Sequence, residues 1–135
     1  MDDEYSDLII EYFKHPVNFG RLEDADIEAL GGNPSCGDQV DWTLRIADGR
    51  IAKIRFTGRG CAISRASACV LSEMAQGKKI EEARKITKDE LFAGLGGIIQ
   101  TRLSCALLPL KTLMAGLDEF EKKGNSHVRV QNVRV

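Results

Sequence analysis

The strongest constraint in this chain is a pair of alternating runs that meet at Asp48-Gly49. Val40, Trp42, Leu44 and Ile46 interleave with Asp41, Thr43 and Arg45, and Ala52, Ile54 and Phe56 interleave with Lys53 and Arg55. Alternation with a period of two makes a strand with one dry face and one wet face. Asp-Gly is a favoured two-residue hairpin turn because both positions tolerate positive φ. The two runs therefore predict an antiparallel hairpin whose apolar face needs a cover. A weaker strand through Ile27 to Leu30 completes a small antiparallel sheet of about three strands.

The cover comes from segments with a helical period. Tyr5, Leu8, Ile9, Tyr12 and Phe13 fall at helical spacing, and the helix should end near Lys14 because His15 precedes Pro16. After Cys61 a stripe of Ile63, Ala66, Val70, Leu71 and Met74 predicts a helix stopped by Gly77. Ile80–Lys85 and Lys88–Leu95 read as short helices, with Thr87 as the N-cap of the second. Leu107, Leu110, Leu113, Met114, Leu117 and Phe120 form one face of a last helix that ends at Gly124. Helices packed on an antiparallel sheet give an α+β domain, placed at 1–124, with 125–135 as a C-terminal tail. The tail His127–Val135 alternates apolar and polar residues, a pattern that fits a strand or a disordered end.

Composition narrows the function. The 135 residues suffice for one domain with its own core, and 43% hydrophobic with 29% charged residues is an ordinary globular balance. A formal net charge of −1 leaves no basic excess for a polyphosphate backbone, so nucleic acid is not the expected partner. The start, Met1-Asp2-Asp3-Glu4, is acidic where a secretory signal would be basic, and no apolar run approaches membrane-spanning length. The expected compartment is the cytoplasm. Four cysteines in a reducing compartment read as core fillers, reactive thiols or metal ligands, not as disulfides.

Each cysteine carries a functional and a bland reading. Cys36 lies in the turn Asn33-Pro34-Ser35-Cys36-Gly37-Asp38, where Cys36 and Asp38, two residues apart in extended chain, point the same way and can reach one ion. Alone, it reads equally well as a stray thiol in a turn. Cys61 follows Gly58-Arg59-Gly60 at the start of a helix, where free amides and the helix dipole favour a thiolate. Cys105 opens the last helix four residues before Pro109, so its carbonyl has no helical amide to accept from, which predicts an irregular, accessible turn. Its bland alternative is a buried thiol. Cys69 is set aside: eight residues of helix separate it from Cys61 by about 12 Å, whereas sulfurs sharing a metal each lie about 2.3 Å from it.

These motifs, together with His15-Pro16-Val17-Asn18-Phe19-Gly20, Gly58-Arg59-Gly60-Cys61-Ala62-Ile63-Ser64 and Arg102-Leu103-Ser104-Cys105-Ala106, resemble the IscU/NifU-type iron–sulfur cluster scaffolds and their SufU relatives. They occur in the family's order from about Tyr5 to Phe120. The resemblance implies Cys36, Cys61 and Cys105 as ligand cysteines and Asp38 as the aspartate of the site. It implies a [2Fe-2S] cluster built with sulfur from a cysteine desulfurase and passed to iron–sulfur acceptor proteins, and a cluster shared between subunits would make a homodimer. A carboxylate is a harder and weaker partner for such a centre than a thiolate, which suits a protein that must let go.

Two departures matter. IscU-type members carry a histidine before the third cysteine, where this chain has Ser104, and the Leu-Pro-Pro-Val-Lys segment read by a dedicated chaperone is replaced by Gly97-Ile98-Ile99-Gln100-Thr101-Arg102. Ser104 and Arg102 resemble SufU, which binds zinc in a Cys3Asp site and accepts sulfur, yet the insertion that SufU chains carry between the second and third cysteines is missing. The leading expectation is thus a scaffold or carrier and not an enzyme. The alternative is a zinc-dependent sulfurtransferase with Cys105 as the persulfide acceptor. A purely structural zinc module fits less well, because so amphipathic a chain should fold without metal. A cysteine hydrolase lacks a motif-placed histidine as base.

Overall fold

A computed structural model describes residues 7–35, 37–96 and 103–134. The order of elements is α1 (Asp7–Lys14), β1 (Ile27–Asn33), β2 (Asp38–Ala47), β3 (Arg50–Arg59), α2 (Ala62–Ala75), α3 (Ile80–Ala83), α4 (Lys88–Gly94), α5 (Leu103–Lys122) and β4 (Val128–Arg134). The strands form one sheet in the order β3-β2-β1-β4. β1, β2 and β3 are antiparallel neighbours, whereas β4 runs parallel to β1. The expected three-stranded antiparallel sheet is therefore a four-stranded mixed one.

The β2–β3 hairpin turns at Asp48 and Gly49, which take φ of +53° and +73°, the geometry that Asp-Gly supplies cheaply. One detail departs from the alternating pattern. The register slips between Arg45 and Ile46, so that Ile46 faces Ile51 and Ala52 is left as the extra residue of a bulge. Ile51 is buried and Ala52 exposed, the reverse of the phase read from Ala52, Ile54 and Phe56.

β4 carries its own irregularity. Ala29 pairs with Val130 but Gly31 with Val133, and Asn132 takes a φ of +63°. The extra residue keeps Val128, Val130 and Val133 as the more sheltered positions of the strand. A bulge also spoils the outer edge of β4 as a template for further pairing.

α5 lies along β1 and β4 at close range. A methyl group on Gly31 would run into the Thr112 side chain, and one on Gly116 would come within 3.0 Å of Ala29 Cβ and Ile27 Cγ2. These glycines let helix and strand backbones approach. The Trp42 indole N–H, wholly buried, donates to the Pro109 carbonyl of α5 at 3.0 Å. The core between sheet and helices contains Leu44, Ile54, Phe56, Ile63, Leu71, Leu108, Leu113 and Leu117.

The smaller helices follow the sequence closely. Thr87 caps α4 through a reciprocal capping box with Glu90. α1 stops at Lys14, before His15-Pro16. The connector that follows runs beside β3: Phe56 N donates to Asn18 O at 3.0 Å and Gly20 N donates to Phe56 O at 2.8 Å.

Candidate metal centre

Three element starts converge at one end of the sheet. Asp38 is the first residue of β2 and only 3% exposed. A buried carboxylate needs partners. Its Oδ1 accepts the Cys61 backbone N–H at 3.1 Å, and its Oδ2 lies 3.6 Å from Cys61 Sγ, which donates to it.

The approach depends on glycine. Gly58 and Gly60 take φ of +157° and +149° at the end of β3. A Cβ on Gly60 would sit 2.6 Å from Asp38 Cγ, so the carboxylate occupies the space where a side chain would be. A Cβ on Gly58 would instead meet the backbone of Gln39 and Val40. The Gly-x-Gly-Cys spacing thus presses the end of β3 onto the start of β2 and delivers Cys61 as the N-cap of α2, in extended geometry.

Cys105 arrives from α5. The helix begins at Leu103, runs on through Pro109 and holds Cys105 in its first turn, 6% exposed. The accessible turn expected at Cys105 is not what forms. α5 continues through the proline, whose own carbonyl accepts the Trp42 indole N–H. One residue further on, Ser67 Oγ of α2 donates to the Ala106 carbonyl at 2.6 Å and ties the two helix starts together. Burial pushes the Cys105 thiol well above the usual range, and the neighbouring Cys61 thiol and Asp38 carboxylate push it further.

One ligand atom from each of Asp38, Cys61 and Cys105 lies within 4.8 Å of the other two. Four ligands around a tetrahedral ion with bonds near 2.3 Å are about 3.8 Å apart, so closing on an ion asks for a contraction of about 1 Å at most. Two thiols and one carboxylate suit zinc or iron. Cys36 and Arg102 lie outside the described residues, and Ser104 is exposed. Among the described residues no histidine joins the group: His127 pairs with Glu28 at 3.3 Å.

Cys69 is elsewhere. It is wholly buried, its Sγ donates to the Tyr12 carbonyl at 3.9 Å, and desolvation raises its thiol from 9.0 to about 11. The sequence reading missed the Gly60 cradle and the hydrogen bonds of Asn33 described below. The Gly-x-Gly and Asn-Pro-Ser motifs were the available signals.

The model of the NifU-like N terminal domain matches residues 4–127. This chain belongs to that family. Its relatives include the iron–sulfur cluster assembly scaffold protein IscU 1 of Archaeoglobus fulgidus, 40% identical over 121 residues that cover 89% of this chain and 79% of the relative. The zinc-dependent sulfurtransferase SufU of Bacillus subtilis is 31% identical, over 93% of this chain and 96% of the relative. Among solved structures, a protein described as an iron–sulfur cluster assembly scaffold for the SUF system of Fervidobacterium islandicum AW-1 superposes with a TM-score of 0.73 at 30% identity, covering 84% of this chain and 96% of that one. The family match ends where β4 begins. Within this NifU-like domain no described helix is long and apolar enough to cross a membrane.

Proposed function

We propose that this NifU-like domain is a scaffold on which an iron–sulfur cluster is assembled and from which it is handed on. The observation that carries the reading is the convergence of Asp38, Cys61 and Cys105 within 4.8 Å at the meeting of three element starts. Cys36, two residues before Asp38, supplies the fourth ligand, giving a Cys3Asp set for a [2Fe-2S] cluster as cargo. A cysteine desulfurase donates the sulfur, and iron–sulfur acceptor proteins in the cytoplasm receive the product.

The protein's part is to hold the ligands and to give them up. Metal capture must displace the protons of the cysteine thiols, so the raised Cys105 thiol makes capture proton-coupled. Anaerobic reconstitution with ferrous iron, cysteine, a desulfurase and a dithiol reductant, which supplies the electrons that convert persulfide sulfur to sulfide, should yield a coloured protein with equal iron and acid-labile sulfide. A colourless product holding one tightly bound zinc would overturn the reading.

A second reading has a specific basis in Ser104, which leaves the site without a histidine, and in the relative from Bacillus subtilis. In it, zinc holds the site while a cysteine thiolate, Cys105 by the sequence reading, attacks the terminal sulfur of the donor persulfide. A new S–S bond forms on that cysteine and the donor thiolate leaves. Zinc-loaded protein should then stimulate desulfurase turnover, and zinc-free protein should not.

A further inference from the structure

The turn from Asn33 to Asp38 is held from one end. Asn33 closes β1 opposite Asp38 and is only 5% exposed. Its backbone carbonyl accepts from Gly37 N at 2.8 Å, and its side-chain Oδ1 accepts from Ser35 N at 3.0 Å. The two donors are the residues on either side of position 36. Pro34 has no N–H to offer and fixes its own φ, while Gly37 takes a φ of +78° that suits glycine. Asn33 therefore binds both backbone neighbours of Cys36, one through its main chain and one through its side chain.

The two bonds do different work. The carbonyl bond to Gly37 closes the hairpin and is available to any residue at 33. The side-chain bond to Ser35 is an Asx turn, which only a short side chain with an acceptor oxygen can make. An alanine at 33 would keep the hairpin and release one flank of the turn.

We infer that Asn33 is a positioning residue of the metal centre: its side chain fixes the turn that leads from β1 into Asp38. The inference rests on the reading of Cys36 and Asp38 as ligands, and its test separates the two. The zinc affinity of the purified chain is measured by competition with a chromogenic chelator, and the thiolate-to-metal charge-transfer band is recorded with cobalt(II). Thermal unfolding of the metal-free protein serves as the control for fold.

Asn33→Ala should weaken zinc binding about 10–100-fold, as loss of an outer-shell orienting group does, and shift the cobalt spectrum. The unfolding temperature of the metal-free protein should move little. Asn33→Asp, which keeps the acceptor oxygen, should bind within about threefold of wild type, well inside the range that loss of the orienting group spans. Wild-type affinity in Asn33→Ala, or equal losses in the alanine and aspartate variants, would overturn the inference. Should Asn33→Ala fail to fold, Asn33→Leu fills the buried space without an acceptor and is read by the same outcomes. Wild-type affinity in Cys36→Ala would instead overturn the ligand reading beneath it.

Discussion

Gly60→Ala is the sharpest perturbation of the centre that replaces none of its proposed ligand residues. The added methyl would stand 2.6 Å from Asp38 Cγ and 3.0 Å from Asp38 Cβ, so the carboxylate must leave its place. Two costs follow. An L-residue held at a φ of +149° carries backbone strain, on the order of 1–3 kcal/mol. The Asp38 Oδ1 bond from Cys61 N, 3.1 Å long, is broken or stretched, and a hydrogen bond to a charged group is worth about 1.5–3 kcal/mol. The fold should lose roughly 2–4 kcal/mol, the sum being reduced by relaxation.

The consequence for the site is separate from that loss. Asp38 would no longer be oriented, and zinc affinity should drop about 10–100-fold. Gly58→Ala is the matched control. It strikes the backbone of Gln39 and Val40 at the same strand end, with a φ of +157°, and does not touch the carboxylate. It should cost comparable stability but much less affinity per folded molecule. Chelator competition on the folded fraction, with urea unfolding of both metal-free proteins, provides the two measurements. Wild-type affinity in Gly60→Ala, or equal affinity losses in the two variants, would refute the cradle argument.

Three further outcomes can be checked on the same material. Cys61→Ala and Cys105→Ala should each abolish tight zinc binding while Cys69→Ala keeps it, as measured by metal content after gel filtration, because Cys69 is bonded to the Tyr12 carbonyl and lies outside the cluster. Stability should decline in alkali. The folded chain holds the Cys69 proton to about 11 and the Tyr12 proton to about 12, above the ordinary values of 9.0 and 10.0. The unfolded chain releases both protons first, so the stabilisation is complete below pH 9 and drains away as pH rises through 11 and 12. Urea midpoints at pH 8, 9.5 and 10.5 should fall in that order, less steeply in Cys69→Ala. Truncation after His127 removes β4 and its buried Val128; one apolar side chain of that size is worth about 1.5–3 kcal/mol, so an unchanged urea midpoint would show that β4 adds nothing to the fold.

Local chemistry made much of the fold legible. The hairpin was readable because Asp48-Gly49 has one cheap geometry, and α4 because Thr87 and Glu90 form a box within four residues. Parallel pairing of β4 with β1 was not readable, since Ile27 and Val128 meet only after the intervening chain has folded. Nor was the bulge: Ala52, Ile54 and Phe56 alternate without a flaw, and it is the buried pairing of Ile46 with Ile51 that sets the true phase. At Cys105 a correct local rule gave the wrong environment. Proline does orphan that carbonyl, but packing of α5 on α2 buries the thiol all the same.

Asp38, Cys61 and Cys105, three of the four residues named from the sequence, do meet in the structure, but the arrangement that joins them was not legible, and Asp38 shows the difference. Residue types alone suggest a weaker ligand among thiolates. The geometry adds that this carboxylate has two oxygens with separate partners. Oδ1 is committed to the Cys61 amide, which anchors the start of α2 to the start of β2, while Oδ2 accepts only from the thiol, a bond that is given up when the thiol loses its proton, and is the oxygen that the proposed ligation would use. A cysteine at 38 would offer one sulfur for both tasks and leave the amide unpaired whenever that sulfur was bound. With aspartate, the bond that holds the two elements together stays in place whether the other oxygen is engaged or not. On the proposed ligand set, loading and release would leave the framework of the site standing, which is the property a carrier of labile cargo requires.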